Sequence, residues 1–202
     1  MADSPEVTEA RGKVSGERAN LAQAFGIRRG EVISLVGAGG KTSLMLALAR
    51  ELAAGGEAVI TTTTTRIFDW QAPGTSLIVE QDEEKMMSRL SLELRRHRHI
   101  TLAGERLSSE GKLAGISPEL VVRIAGLDQI AYTIIEADGA ARKPLKAPNA
   151  TEPVVPENTT LVIPVVGIYA LGKELTEENV FRPEIVSRLT GLPTGSARGI
   201  TT

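Results

Sequence analysis

The segment that most constrains this chain is Val32-Ile33-Ser34-Leu35-Val36 followed at once by Gly37-Ala38-Gly39-Gly40-Lys41-Thr42. A nearly continuous apolar run reads as a strand covered on both faces. The residues after it, about Lys41 to Ala53, place Leu44, Leu48 and Leu52 on one helical stripe that ends at Gly55-Gly56. Strand, glycine loop and helix in that order form an anion site, because unpaired N–H groups and the helix dipole converge where the glycines let the backbone approach. In the pattern G-x-x-x-x-G-K-[ST] the lysine reaches the outer phosphates and the hydroxyl serves Mg²⁺. Gly40-Lys41-Thr42 supplies the end of that pattern, with Ser43 beside it, but Leu35 stands where the first glycine belongs. The loop is therefore a compressed variant, with its turn glycines at 37, 39 and 40.

Other apolar runs follow at 58–61, 76–79, 100–102, 130–137 and 161–166, and helical spacing at 82–95, 118–124 and 183–189. Asp82 to Arg95 is the clearest helix, with Met86, Leu90 and Leu94 on one face, acids in its first turn and basic residues at its end. A short helix is expected at 17–25 after a polar leader, residues 1–16. Strands alternating with helices, with no hairpin signal between them, predict an α/β fold: a P-loop NTPase-like three-layer sandwich on a mostly parallel sheet, one domain over 17–202.

Ligands of such sheets sit beyond the carboxyl ends of the strands. Two of those ends carry unusual chemistry. Thr61-Thr62-Thr63-Thr64-Thr65-Arg66 combines strand propensity with hydroxyls; Thr63 or Thr64 could reach Mg²⁺ or the last phosphate, and Arg66 could offset its charge. Thr133-Ile134-Ile135-Glu136-Ala137-Asp138-Gly139 is an apolar strand ending in acids, the way a Mg²⁺-side carboxylate is presented. Glu136 and Asp138 alternate onto one side, and the sequence leaves open which serves the metal and which orients water or substrate. Lys41, Glu136 and Asp138 are the catalytic candidates; Thr42, Glu136 and Asp138 are the metal candidates. The proline-framed stretch 140–148 adds Lys143 and Lys146 as partners for an anion.

Composition narrows the ligand. Lys and Arg number 23 against 25 Asp and Glu, and aromatics make up 3%, so neither a polyanion field nor stacking platforms point to nucleic acid. There is no cysteine, hence no disulfide, thiolate metal site or thiol chemistry. His97 and His99 could share a strand face as ligands, but there is no third histidine to join them. The early acids of the N-terminus do not read as a signal peptide, and no apolar run approaches the roughly 20 residues of a membrane span. A cytoplasmic protein is expected.

Taken together, Val36 to Thr42, the threonine run, Glu136-Ala137-Asp138-Gly139, Lys146-Ala147-Pro148, Glu152 to Pro156, Gly172-Lys173 and Phe181-Arg182-Pro183-Glu184 resemble the selenium-dependent molybdenum hydroxylase accessory proteins, the YqeC family. The resemblance covers roughly residues 20 to 200. It implies a P-loop-type fold, ATP or GTP with Mg²⁺ as cofactors, and a molybdenum hydroxylase apoenzyme or its cofactor as partner. The compressed loop is also similar to that of the amino-acid ligases of cell-wall synthesis. Phe181 departs from the histidine the family pattern leads us to expect. Relatives continue past Thr202 with a further helix and strand, which marks the C-terminus as a candidate truncation; no N-K-x-D guanine signature is present. Without a thiol the chain is not expected to carry selenium itself. Three activities fit: an NTP-hydrolysing maturation factor, first; a ligase or kinase that activates a small cofactor; or a non-catalytic chaperone for a nucleotide or molybdopterin.

Overall fold

A computed structural model of the protein describes residues 20–68, 75–107 and 111–196. The leader at 1–16 and the start of the helix expected at 17–25 lie outside these residues. In chain order the elements are α1 (Leu21–Ala24), β1 (Val32–Gly37), α2 (Lys41–Ala54), β2 (Val59–Thr63), β3 (Arg66–Phe68), β4 (Ser76–Val79), α3 (Glu83–Glu93), β5 (His99–Ala103) and β6 (Glu105–Leu107). There follow β7 (Lys112–Ala114), α4 (Pro118–Ala125), β8 (Tyr132–Glu136), β9 (Leu145–Lys146), β10 (Leu161–Val165), a 3₁₀ turn at Ile168–Ala170, β11 (Val180–Phe181) and α5 (Pro183–Thr190).

Six strands form one parallel sheet in the order β10-β1-β8-β2-β5-β4. Alternation along each strand divides its apolar residues between two cores. Ile33 and Leu35 of β1, Val59 of β2 and Ile134 of β8 pack on one face with Met45, Leu48 and Leu52 of α2. Val32, Ile60, Ile100 and Ile135 pack on the other with Met86 and Leu90 of α3 and Leu120, Val121 and Ile124 of α4. Helices on both faces make the three-layer α/β sandwich that the sequence predicts. Pro164 lies in β10, an edge strand, where a missing N–H is tolerated. Among the described residues no helix is long and apolar enough to cross a membrane.

Because the strands are parallel, Gly37, Thr63, Glu136 and Val165 all end at one edge. Two small sheets project from that edge. β3, β7 and β6 pair antiparallel, so the chain does contain a hairpin, contrary to the sequence-based expectation. Each of its strands is three residues long, too short for alternation to register. Gly115 anchors it: its N–H donates to the Thr65 carbonyl at 2.6 Å, and a Cβ there would lie 2.3 Å from the Thr63 carbonyl oxygen. The second small sheet pairs β9 with β11 over a cluster of Ala147, Leu175, Val180 and Val186 beside α5.

Candidate functional site

The glycine loop closes on itself around the lysine. Gly37, Gly39 and Gly40 have φ of 95°, 71° and 122°, conformations that other residues adopt at a cost. Ala38 is buried, and its N–H donates to the Val165 carbonyl at 2.8 Å, tying the loop to β10. Gly40 caps α2 without a side chain, and the first turn of that helix holds no acid of its own. Lys41 is 3% exposed. Its Nζ donates to the Gly37 carbonyl at 2.6 Å and lies 3.0 Å from Asp138 Oδ1 and 3.8 Å from Glu136 Oε1. Thr42 Oγ1 donates to Glu136 Oε2 at 2.7 Å.

The two acids of the β8 end take different partners. Register places Glu136 beside Leu35 of β1 and Thr63 of β2, at the base of the loop. Burial raises its pKa, and the Thr42 hydrogen bond and the Lys41 charge oppose that only in part. Asp138 is 1% exposed and sits between two lysines: Oδ2 accepts from the Gly37 N–H at 2.9 Å and lies 3.0 Å from Lys146 Nζ, while Oδ1 faces Lys41. Lys146 also donates to the Gly139 carbonyl at 2.6 Å and to Glu152 Oε2 at 2.7 Å. Arg182 Nη1 reaches the same Glu152 oxygen at 2.9 Å, and its guanidinium stacks 4.4 Å from the centre of the Phe181 ring. A chain of alternating charge thus runs from the loop to the β9–β11 sheet.

A cavity of about 1000 Å³ opens over the loop. Gly39, Gly40, Lys41, Thr42 and Ser43 form one wall with Glu136. Thr65, Arg66 and Lys143 also line it, as does Tyr169 of the 3₁₀ turn. Several residues singled out from the sequence do not reach it. Thr63 Oγ1 donates to the Glu136 carbonyl at 2.7 Å and Thr64 Oγ1 to the Val154 carbonyl at 2.6 Å, so both hydroxyls hold main chain together, and Thr65 is the threonine that faces the cavity. Lys146 and Asp138 lie beneath the wall as a buried pair. Lys143 lines the cavity and donates to the Glu178 carbonyl at 2.8 Å. Glu152, Tyr169, Lys112 and Arg142 line it too, and the sequence alone does not single them out as site residues. Arg142 lies beside Lys143 in the proline-framed stretch, but these four residues meet only through the tertiary fold.

The histidines take no part. His99 is buried, with Nε2 2.9 Å from Thr61 Oγ1, and burial together with the nearby Arg50 charge lowers its pKa to about 4. His97 lies 3.4 Å from Glu93 Oε2 on the outside of the molecule. Among the described residues no three His, Asp or Glu side chains gather into a metal cluster.

The profile of the YqeC protein family matches residues 33–184, a span from β1 through the β8 acids to the start of α5. The chain belongs to the YqeC family. It is 35% identical over 165 residues to a relative from Escherichia coli (strain K12) named "Uncharacterized protein YqeC", across 82% of this chain. The match spans 62% of that relative's length. No solved structure matches. The YqeC match takes in the whole loop, both β8 acids, Lys146, Glu152 and Arg182.

Proposed function

We propose that this YqeC-family chain binds ATP or GTP with Mg²⁺, hydrolyses it, and so acts in the cytoplasm as an accessory factor in the maturation of selenium-dependent molybdenum hydroxylases. The observation that carries the nucleotide reading is the pair Lys41 and Thr42, which open α2 at the cavity wall with Thr42 bonded to Glu136 at 2.7 Å. A lysine and a hydroxyl at the start of an uncapped helix, backed by a carboxylate, match what a nucleotide's outer phosphates require. The phosphates would draw Lys41 away from Asp138, which keeps Lys146 and the Gly37 N–H. Tyr169, 59% exposed at the rim, offers the nucleobase a stacking surface.

Thr42 and Glu136 are the residues that would hold Mg²⁺. Two protein oxygens suit this ion, which takes its remaining ligands from phosphate and water, so the lack of a larger acid cluster among the described residues fits. The metal would offset charge on the phosphates. Asp138, bonded to the Gly37 N–H and paired with Lys146, would brace the loop rather than touch the ion. The hydroxylase-maturation role rests on the family resemblance rather than on this geometry.

Calorimetric titration with ATP and GTP, with and without Mg²⁺, tests the site. Lys41→Ala should lower affinity roughly 10- to 100-fold, the value of a lysine–phosphate hydrogen bond. Tyr169→Ala should lower it at least about fivefold by loss of stacking. Binding by a folded Lys41→Ala chain equal to wild type would overturn the assignment, and phosphate release that survives that substitution would overturn hydrolysis.

A pH series adds a second check. Burial first of all lifts the Glu136 carboxyl above its ordinary value of 4.5. Mg²⁺ needs the ionised form, so the Mg²⁺-dependent gain in affinity should fade as pH drops, with its midpoint above 4.5. A raised carboxyl pKa favours the folded state below the unfolded value, and that benefit is lost as pH rises. Glu136→Gln should therefore remove the Mg²⁺-dependent gain at every pH without lowering neutral-pH stability. A gain that persists in Glu136→Gln would move the metal elsewhere.

A further inference from the structure

We propose that the cavity takes a second ligand beside the nucleotide: a phosphorylated small molecule with at least two negative charges, held by Arg66 and Lys112 of the antiparallel sheet and by Arg142 and Lys143 of the turn after β8. The chain as a whole carries a formal charge of −2, yet five cationic side chains line this cavity against two carboxylates, Glu136 and Glu152. Both carboxylates are already engaged. Glu136 accepts from Thr42, and Glu152 accepts from Lys146 and Arg182. Of the five cations only Lys41 belongs to the phosphate loop, so the rest form a wall that the loop's own chemistry does not require.

Two separate elements build that wall. Register in the antiparallel sheet pairs Arg66 with Ala114 and Phe68 with Lys112, so Arg66 and Lys112 stand on one face, two register steps apart. Glu105 pairs with Ala114 in the same row but does not line the cavity. The turn after β8 carries Ala141 and Arg142 at φ of 47° and 62°, two successive left-handed residues that are not glycine. Each costs about 1–2 kcal/mol, and a chain that keeps both places Arg142 on the cavity wall by means of strain. Lys143 follows in the same turn. Arg66, Lys112 and Arg142 have contacts of their own in the resting chain, which an anion would share or exchange.

Arginine's planar fork and lysine's point charge together favour phosphate oxygens. Two clusters on different elements ask for charge at two points of the ligand. The cavity, about 1000 Å³ in volume, extends from the glycine loop to all four of these cations. The division of the cavity rests on the nucleotide reading above.

The test is titration of inorganic pyrophosphate onto protein saturated with a non-hydrolysable ATP or GTP analogue at fixed free Mg²⁺, and separately onto nucleotide-free Lys41→Ala. Saturable binding near one equivalent is expected, weakened at least about tenfold in the double variant Lys112→Gln, Arg142→Gln, whose nucleotide affinity moves less than about threefold. Pyrophosphate that only displaces the analogue, fails to bind, or binds the double variant as it binds wild type would overturn the second site. If the analogue does not bind wild type but pyrophosphate remains sensitive to Lys112 and Arg142 and indifferent to Lys41, the nucleotide reading falls and the second site stands. If the analogue binds and no second pyrophosphate site appears, the nucleotide reading stands and the second site falls.

Discussion

Lys146→Met is expected to lower the unfolding free energy by about 3 kcal/mol, the lower end of the cost of breaking a buried ion pair. Lys146 is 8% exposed, and its ammonium serves a carbonyl and two carboxylates at once, those of Gly139, Asp138 and Glu152. Removing it takes one cation from the buried Asp138 and one from Glu152 at the cavity wall. The loss stops short of a bare buried charge because Lys41 still faces Asp138 and Arg182 still faces Glu152. Urea unfolding reads the change, with Lys143→Ala, whose lysine sits on the cavity wall, as a control that should shift stability by less than about 1 kcal/mol. Burial pushes the Glu152 carboxyl up, but hydrogen bonds from Arg182 and Lys146 outweigh it and hold the pKa below 4.5. A depressed carboxyl stabilises the fold above its unfolded pKa, and that contribution is lost as pH falls through the folded one. The variant should therefore lose less stability than wild type on acidification across that window. Wild-type stability combined with weakened nucleotide binding would return Lys146 to the phosphate side, where its sequence position alone would put it.

The two lysines show what the sequence could and could not convey. Lys143 and Lys146 look alike in a proline-framed basic stretch, and only the pairing of β9 with β11 buries one and leaves the other on the cavity. The threonine run behaves the same way. Thr61, Thr62 and Thr63 are buried in β2 and hydrogen-bonded within the sheet, as strand propensity suggests, while the member of the run that lines the cavity is Thr65. The core strands were legible because long apolar runs leave little choice of structure, and the loop because its glycines and lysine sit between such a run and a helix. The antiparallel flap was not, since its three-residue strands carry no period. Arg66 stands out in the sequence only as the end of the threonine run, and its neighbour Lys112 is 46 residues away. Phe181, where the family pattern leads one to expect a histidine, stacks beneath Arg182 and so supports the charge chain rather than proton transfer.

Gly39→Ala should cost more than about 100-fold in nucleotide affinity and about 2–4 kcal/mol in stability, from left-handed strain added to overpacking. At φ 71° a side chain is already unfavourable. The larger effect is steric: a Cβ on Gly39 would lie 2.4 Å from the Gly167 nitrogen, 2.5 Å from its Cα and 2.9 Å from the Pro144 carbonyl oxygen. All three are backbone atoms, so no rotamer relieves the clash. The reciprocal substitution separates the two causes. Gly167→Ala meets its nearest atoms, on Pro144 and Gly39, at 3.0–3.2 Å, and Gly167 has an ordinary φ of −70°. It should cost about 1 kcal/mol and less than about tenfold in affinity. Calorimetry and urea unfolding on both variants measure the difference, and wild-type nucleotide affinity in Gly39→Ala would remove the loop from the binding site. The contact matters because Gly167 opens the turn that carries Tyr169, while Gly39 lies in the loop that leads into Lys41. Their backbones touch, so the proposed phosphate and base walls of the cavity are set at one distance, and a single methyl group forces them apart.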